Sequence, residues 1–331
     1  MPREIRFATF NVLNLALPET RFYANQEPYS IAQYDAKITW LAQQMDRLDA
    51  DVIGLQEIFS QAALTDVLAR TRNYRDAHQI GFDPLPGTAA EPTALTPSVA
   101  LVSRLPVLSA PRSHHVLPRG LSVALPGQTT PMTCFTRPIL QVELGLPQQR
   151  PMQVFVAHLK SKRPDWLTTE IEIAPYQRGI ATLRSLIRRG TEALGFRYLL
   201  TDQMHATRSP LVVMADFNDV AESVSTQLVM GGDARGANPV DARLFNALQI
   251  QSDMATPRDV AYTHMHDGGF ETIDHILFSE EFNPASPHAI GAVLQVQYLN
   301  GHVSQRPAAA SDHGQVLVRV RLFDPVGEPF K

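Results

Sequence analysis

The chain has 331 residues, 44% hydrophobic and 19% charged, with 29 Lys and Arg against 33 Asp and Glu for a net charge of −4. That balance excludes a strongly basic protein that coats nucleic acid, but leaves room for a nuclease with a local basic patch. A lone Cys134 excludes an internal disulfide and any cysteine-based zinc or iron–sulfur site, and no run of about 18 apolar residues is present to span a membrane.

Ile5–Asn11 reads as a buried strand. Ser30 caps a helix in which Ile31, Tyr34, Ile38, Leu41, Met45 and Leu48 recur at steps of three and four. Asp51–Gln56 is a short β-branched strand, and Gln61–Arg70 is helical. Ser98–Ser103, Ile139–Leu144, Met152–Ala157 and Leu211–Ala215 read as strands. Tyr176–Arg189 reads as a helix with Ile180, Leu183 and Ile187 on its apolar face and Arg178, Arg184, Arg188 and Arg189 on a solvated one. Thr272–Phe278 and the alternating Gln315–Leu322 close the series as strands. Segments 82–97 and 105–135 are rich in Pro, Gly, Thr and Ser and read as long functional loops. The strands fall into an early and a late set, which predicts two packed sheets in a layered α/β fold. No repeat or linker divides the chain, so one domain over residues 1–331 is expected. The N-terminus lacks the apolar core of a signal peptide. A cytoplasmic monomer is therefore the default expectation, with export open if a leader has been trimmed.

Polar residues of one kind collect at the strand ends. Asn11 ends the first strand, Glu57 follows the second, and His158 follows MQVFVA. Asp216 and Asn218 follow LVVMA, Asp274 sits in ETIDHILFS, and Asp312 and His313 sit in SDHGQVLV. Strand ends converge on one edge of a sheet, where α/β proteins bind ligands. Carboxylates and amides suit a hard cation such as Mg²⁺ or Mn²⁺. Histidines beside such a site contact phosphate or carry protons, and Asp274 is placed to fix a histidine tautomer. No serine or cysteine nucleophile stands out. The set meets the needs of phosphodiester hydrolysis.

In order, FNVLN, LQE, HLKSK, ADFND, TIDHILFS and SDH resemble the endonuclease/exonuclease/phosphatase superfamily with its DNase I-like fold, and HLKSK resembles a bacterial branch. The resemblance runs from Phe7 to about Arg321. It implies a four-layer sandwich of two mixed β-sheets flanked by helices, and a Mg²⁺- or Mn²⁺-dependent phosphoesterase. It implies Glu57 as principal metal ligand, with Asn11 and Asp312 on the same side. Asp216 would orient or deprotonate the attacking water or bind a second metal. Asn218 would donate to a phosphate oxygen, and His313, held by Asp274, would contact the scissile phosphate. His158 resembles the second histidine of the DNase I and phosphatase branches. Arg137, in TRPIL, and Lys160 would bind phosphate. Ala215 stands where the family carries glycine. Asp83 and Glu91 are the candidates for the carboxylate partner of His158.

Each residue also has a plainer reading. Glu57 alone is a surface carboxylate, Asn11 and Asp216–Asn218 are turn formers, and Asp274 is a bulge device. His264 and His266 resemble a metal string but lack a third ligand, so they read as loop residues, as do His114 and His115. By strand alternation His275 points away from Asp274. The leading substrate is nucleic acid, DNA cut with little sequence preference, with arginines of 105–135 adding phosphate contacts. The alternatives are a small phosphate ester or lipid head group, and an inactive binding protein.

Overall fold

The computed structural model describes residues 4–23, 26–84, 95–147, 150–167, 169–170, 174–207, 209–232, 243–252 and 261–323. Strand β1 spans Glu4–Leu15, longer than its sequence run, and its alternation sets the plan of the fold. Ile5 and Phe7 face a core between two sheets, while Ala8, Phe10 and Val12 face helices on the outside. β1 lies parallel to β2 (Val52–Ile58) and antiparallel to β14 (Gln315–Leu322). Antiparallel β4 (Ser98–Ser103) and β3 (His78–Gly81) extend the sheet on one side, and β13 (Gly291–Leu299) closes it on the other.

The second sheet runs β5 (Arg112–Val116), β6 (Cys134–Gly145), β7 (Pro151–His158), β8 (Leu211–Asp216), β12 (Asp274–Phe278) and β9 (Phe245–Asn246). Of its pairs, only β7–β8 is parallel. The expectation of an early and a late strand set is corrected here. The first and last strands share one sheet and the middle of the chain forms the other. The reason is β14, whose partner for its alternating apolar face is β1, almost the whole chain away. Between the sheets, Phe7 packs edge-on to Phe278 with ring centroids 5.6 Å apart. At Gly54 the sheets approach so closely that an added Cβ would lie 2.7 Å from Met214 Cβ.

Helices α1 (Ile31–Leu48) and α2 (Gln61–Arg70) cover the first sheet. Ser30 caps α1 in a reciprocal pair with Gln33, satisfying two backbone donors. Helix α3 (Pro175–Thr207) and α4 (Val224–Met230) cover the second, which completes four layers. Here the predicted faces of α3 are corrected in part: Ile187 packs toward the second sheet and Arg178 is exposed, as expected, but Leu183, Arg184 and Arg189 change sides. Leu183 is 47% exposed while Arg184 is fully buried. Arg184 pairs with Glu170 at 2.7 Å and donates to the Pro126 carbonyl at 2.8 Å, and Arg189 pairs with Asp219 at 2.9 Å. Buried guanidinium is tolerated when its donors are matched in this way. The helix also runs on past Arg189, because Phe196, Leu200 and Met204 pack on the second sheet. Segment 105–135 is not one loop. β5 pairs with β6, and Val123 bridges Met132. Of segment 82–97, residues 85–94 lie outside the described residues. A β10–β11 hairpin (His264–His266, Gly269–Glu271) stands at the end of the sandwich. Among the described residues, no helix is long and apolar enough to cross a membrane.

Candidate active site

Strand parity delivers the polar residues. In β7, β8 and β12, Val156, Met214 and Ile276 fill the core between the sheets. Two residues further toward the end of the sandwich, on the same face, lie His158, Asp216 and Asp274. The ladder registers pair Asp216 with His158 on one side and with Asp274 on the other, so the three stand in a row. Asn11 arrives by the same rule beyond Thr9 of β1. Glu57 has the opposite parity to the core-facing Val52, and a register shift between Gln56 and Ile58 with φ 64° at Glu57 accompanies its place at the site. Leu13, Asn14 and Asn218 also have positive φ, so backbone held in sparsely populated conformations gathers here.

Asn11 Nδ2 donates to Asp216 Oδ2 at 2.9 Å and to Glu57 Oε1 at 3.2 Å, while its oxygen accepts from the Leu13 amide. The Asn14 amide donates to Glu57 Oε2 at 3.0 Å. Asn218 receives its turn from Asp216 Oδ1, as an Asx turn does, and its Nδ2 donates to the Leu159 carbonyl. The Ser311 hydroxyl ties the SDH turn to the Asn11 carbonyl. His313 Nδ1 lies 2.8 Å from Asp274 Oδ2, the predicted pairing, with its Nε2 4.0 Å from Asp216 Oδ2. His275 lies on the other face, but it is buried, against Asn246 and the Asp219 carbonyl.

The two histidines titrate in opposite directions. Burial pushes His158 well below the ordinary imidazole range, and the charges of Arg137, His313 and Lys160 add to this. His158 Nε2 is 3.3 Å from Asp216 Oδ2, but with a neutral ring the contact is not an ion pair. Burial alone would also lower His313, yet the carboxylates of Asp274 and Asp216 outweigh it and hold the ring well above its usual range. Asp216 is pushed up to about 7, first by burial and then by the charge of Asp274 beside it. Burial lowers Lys160 to about 8.

Glu57, Arg137, His158, Lys160, Asp216, Asn218, Asp312 and His313 line one cavity of about 830 Å³. Asn11 and Asp274 stand behind its wall. All ten residues singled out from the sequence are therefore gathered at this end of the sandwich. Arg137 donates to the Leu159 carbonyl, and Lys160 Nζ donates to the Arg163 carbonyl. The donor set fits a hard divalent cation. Asp312 Oδ1 is buried without a hydrogen-bond partner, and so is Asp274 Oδ1. Among the described residues, two groups have ligand atoms within 4.8 Å of one another: His264, Asp312 and His313, and Asp216, Asp274 and His313.

His264 corrects the sequence reading. It lines the cavity, half-buried, with its ring centroid 5.0 Å from that of His313. The group of ligand atoms it joins there is completed by Asp312 and His313, some 50 residues away, not by His266, and spacing could not reveal them. Tyr23, Arg163 and Arg178 also line the cavity and were not chosen from sequence. Asp83 is spent on the Gln61 amide at the start of α2, and Glu91 lies outside the described residues. Among the described residues, His158 Nδ1 has no hydrogen-bond partner. His114 and His115 lie on the edge strand β5, bonded to Gln141 and Ser113, and do not line the cavity.

Known proteins place this arrangement. A structure of an endonuclease/exonuclease/phosphatase from Bacteroides vulgatus is similar at a TM-score of 0.58 and 14% identity, covering 97% of this chain and 100% of that one. The human Nocturnin catalytic domain, with a bound sulfate anion, is similar at 0.55 and 16%, covering 97% and 95%. A mannosyl-6-phosphatase from Bacteroides thetaiotaomicron is similar at 0.53 and 14%, covering 96% and 99%. No curated protein matches the sequence. The sequence profile of the Endonuclease/Exonuclease/phosphatase family matches residues 8–313, and the chain belongs to that family of phosphoester hydrolases.

Proposed function

We propose that this protein is a divalent-metal-dependent phosphoesterase that hydrolyses small, cavity-sized phosphate esters. The observation that carries the reading is a buried polar floor beneath a cavity of small-molecule size. The floor formed by His158, Asp216 and His313 is buried, at the base of a cavity whose volume lies within the roughly 300–1,000 Å³ of small-molecule sites. A surface arranged for duplex DNA offers a row of free cations instead. Of the 105–135 arginines expected to contact phosphate, Arg119 is bonded to Asp202, and on α3 Arg184, Arg188 and Arg189 are in ion pairs.

In this reading Glu57 and Asp312, with Asn11, hold the cation. Mg²⁺ or Mn²⁺, if held there, would supply positive charge against the phosphate and its leaving oxygen. Asp216, aligned by Asn11, orients the attacking water and takes its proton. His313, charged through Asp274, donates to a phosphate oxygen, and so does the second N–H of Asn218. Lys160 and Arg137 add charge, the guanidinium with geometry suited to phosphate. Neutral His158 beside Asp216 holds the water from the other side. Water attacks, the ester P–O bond breaks, the leaving alkoxide takes a proton from solvent, and Asp216 returns the proton it took to solvent.

A nucleic-acid substrate is the second reading, favoured by the cations that do line the cavity. The test is a panel of sugar phosphates, nucleotides and aryl phosphates beside supercoiled plasmid, with Mg²⁺ or Mn²⁺. Release of phosphate or alcohol from small esters with the plasmid intact is expected. Plasmid nicking without small-ester turnover would overturn the proposal.

A further inference from the structure

We propose that the cavity has a second anion subsite, formed by Arg163 and Arg178, that holds a phosphate the enzyme does not cleave. The substrate would then be a small molecule carrying two phosphates. This rests on the small-ester reading and sharpens it.

The case starts from how the other arginines are used. Along α3, Arg184 meets Glu170, Arg188 meets Asp165 and Arg189 meets Asp219. Arg178, less than two turns before Arg184 on the same helix, is exposed and lines the cavity, and no described carboxylate pairs with it. Arg163, directly after HLKSK, is also exposed, lines the cavity and has no carboxylate partner among the described residues. In a chain of net charge −4, two unpaired arginines on a concave wall stand out against that pairing.

One phosphate does not need them. The scissile group already has His313, Asn218, Arg137, Lys160 and a cation to answer its two negative charges. A cavity of about 830 Å³ is also far larger than one phosphate. Of the lining carboxylates, Glu57, Asp216 and Asp312 are assigned to the cation and the water, Glu271 pairs with Lys162 and Asp267 contacts His266, which leaves Arg163 and Arg178 for a second anion. Planar guanidinium favours phosphate with bidentate contacts. The pairing of Lys162 with Glu271 at 2.9 Å leaves that nearby lysine already neutralised, so the free charge concentrates on the two arginines.

The experiment is calorimetric titration of the Ca²⁺-loaded protein with alkane-α,ω-diol bisphosphates of three to eight carbons and with the matching monophosphates. At the best length the bisphosphate should bind about tenfold tighter, the size of one or two charge-assisted contacts. In Arg163→Gln/Arg178→Gln the ratio of the two affinities should fall to near one. Arg178→Lys should keep part of it. Equal affinities at every length, or a ratio that persists in the double variant, would overturn the subsite while leaving monophosphate binding, and so the small-ester reading, in place. Absence of binding by either series would remove that reading and the subsite with it. A parallel series of oligothymidylates separates the sources. A gain that stops at the second phosphate supports a small bisphosphate, whereas one that keeps growing with length overturns it in favour of a polynucleotide.

Discussion

His158 and His313 stand on the same cavity floor, both almost fully buried and both within 4 Å of Asp216 Oδ2, yet one is held neutral and the other cationic. The difference is their second neighbour. His313 has Asp274 at 2.8 Å, while His158 faces Arg137 and Lys160. Burial alone lowers both, so an imidazolium here is the work of a specific carboxylate. Charge is thus assigned by residue, an imidazolium on one side of Asp216 and a neutral ring on the other.

The largest effect should follow from breaking that assignment. His313→Ala should lower kcat about 10³-fold and Asp274→Asn about 10²-fold, in the range for a lost electrostatic donor. Asp274→Asn should also pull the alkaline limb of the kcat/KM profile to lower pH, because the ring loses the charge that keeps it protonated. An unmoved limb in a folded variant would assign that limb elsewhere. Stability follows the same sign. His313 has a raised pKa, so its contribution is full below the ordinary value near 6.5 and is lost as pH rises through the folded value. His158 is depressed, so the folded state loses ground as pH falls below about 6.5, where only the unfolded ring takes a proton. Urea titrations across pH 5–9 should show His313→Asn flattening the alkaline side and His158→Asn the acid side.

Next come Glu57→Ala and His158→Ala, each expected to cut turnover by about 10²-fold with the fold intact. They are separable by metal. Glu57→Ala should weaken Mn²⁺ binding in a direct titration, whereas His158→Ala should leave it near wild type. Chelation should abolish turnover, with recovery on adding Mg²⁺ or Mn²⁺. A smaller effect, about tenfold in kcat/KM, is expected for His264→Ala through its contact with His313, against the near-silence its loop reading suggested.

What the sequence revealed follows the reach of its signals. Strand parity is local, so the placing of His158 and Asp216 at strand ends could be read from runs such as MQVFVAH and LVVMAD, and the Ser30 cap was equally plain. Sheet membership is not local. Nothing in QVLVRVRL names β1 as its neighbour. The faces of α3 were misread because apolar period was weighed against charge, and the ion partners that bury Arg184 and Arg189 lie elsewhere in the chain. His264 failed for the same reason, since its companion Asp312 is distant.

Arg189 offers the smallest effect on chemistry and the cleanest view of how the basic side is held. Its guanidinium bonds Asp219 through Nε and the carbonyls of Lys160 and Ser161 through Nη1, so it fixes the HLKSK strip beside the cavity. Removing it leaves Asp219 with Ser225 and the more distant Lys162, and two carbonyls lose a donor. Arg189→Ala should therefore lower stability by about 3 kcal/mol, the lower end for a broken buried pair. It touches neither cation nor reacting phosphate, so kcat should fall no more than about threefold, while KM should rise as Lys160 loosens. Arg189→Lys restores a charge without the fork and should recover little of either. A fall in kcat as deep as that of His158→Ala would move Arg189 from a support to a participant, and the two-histidine account of the floor would need a third member.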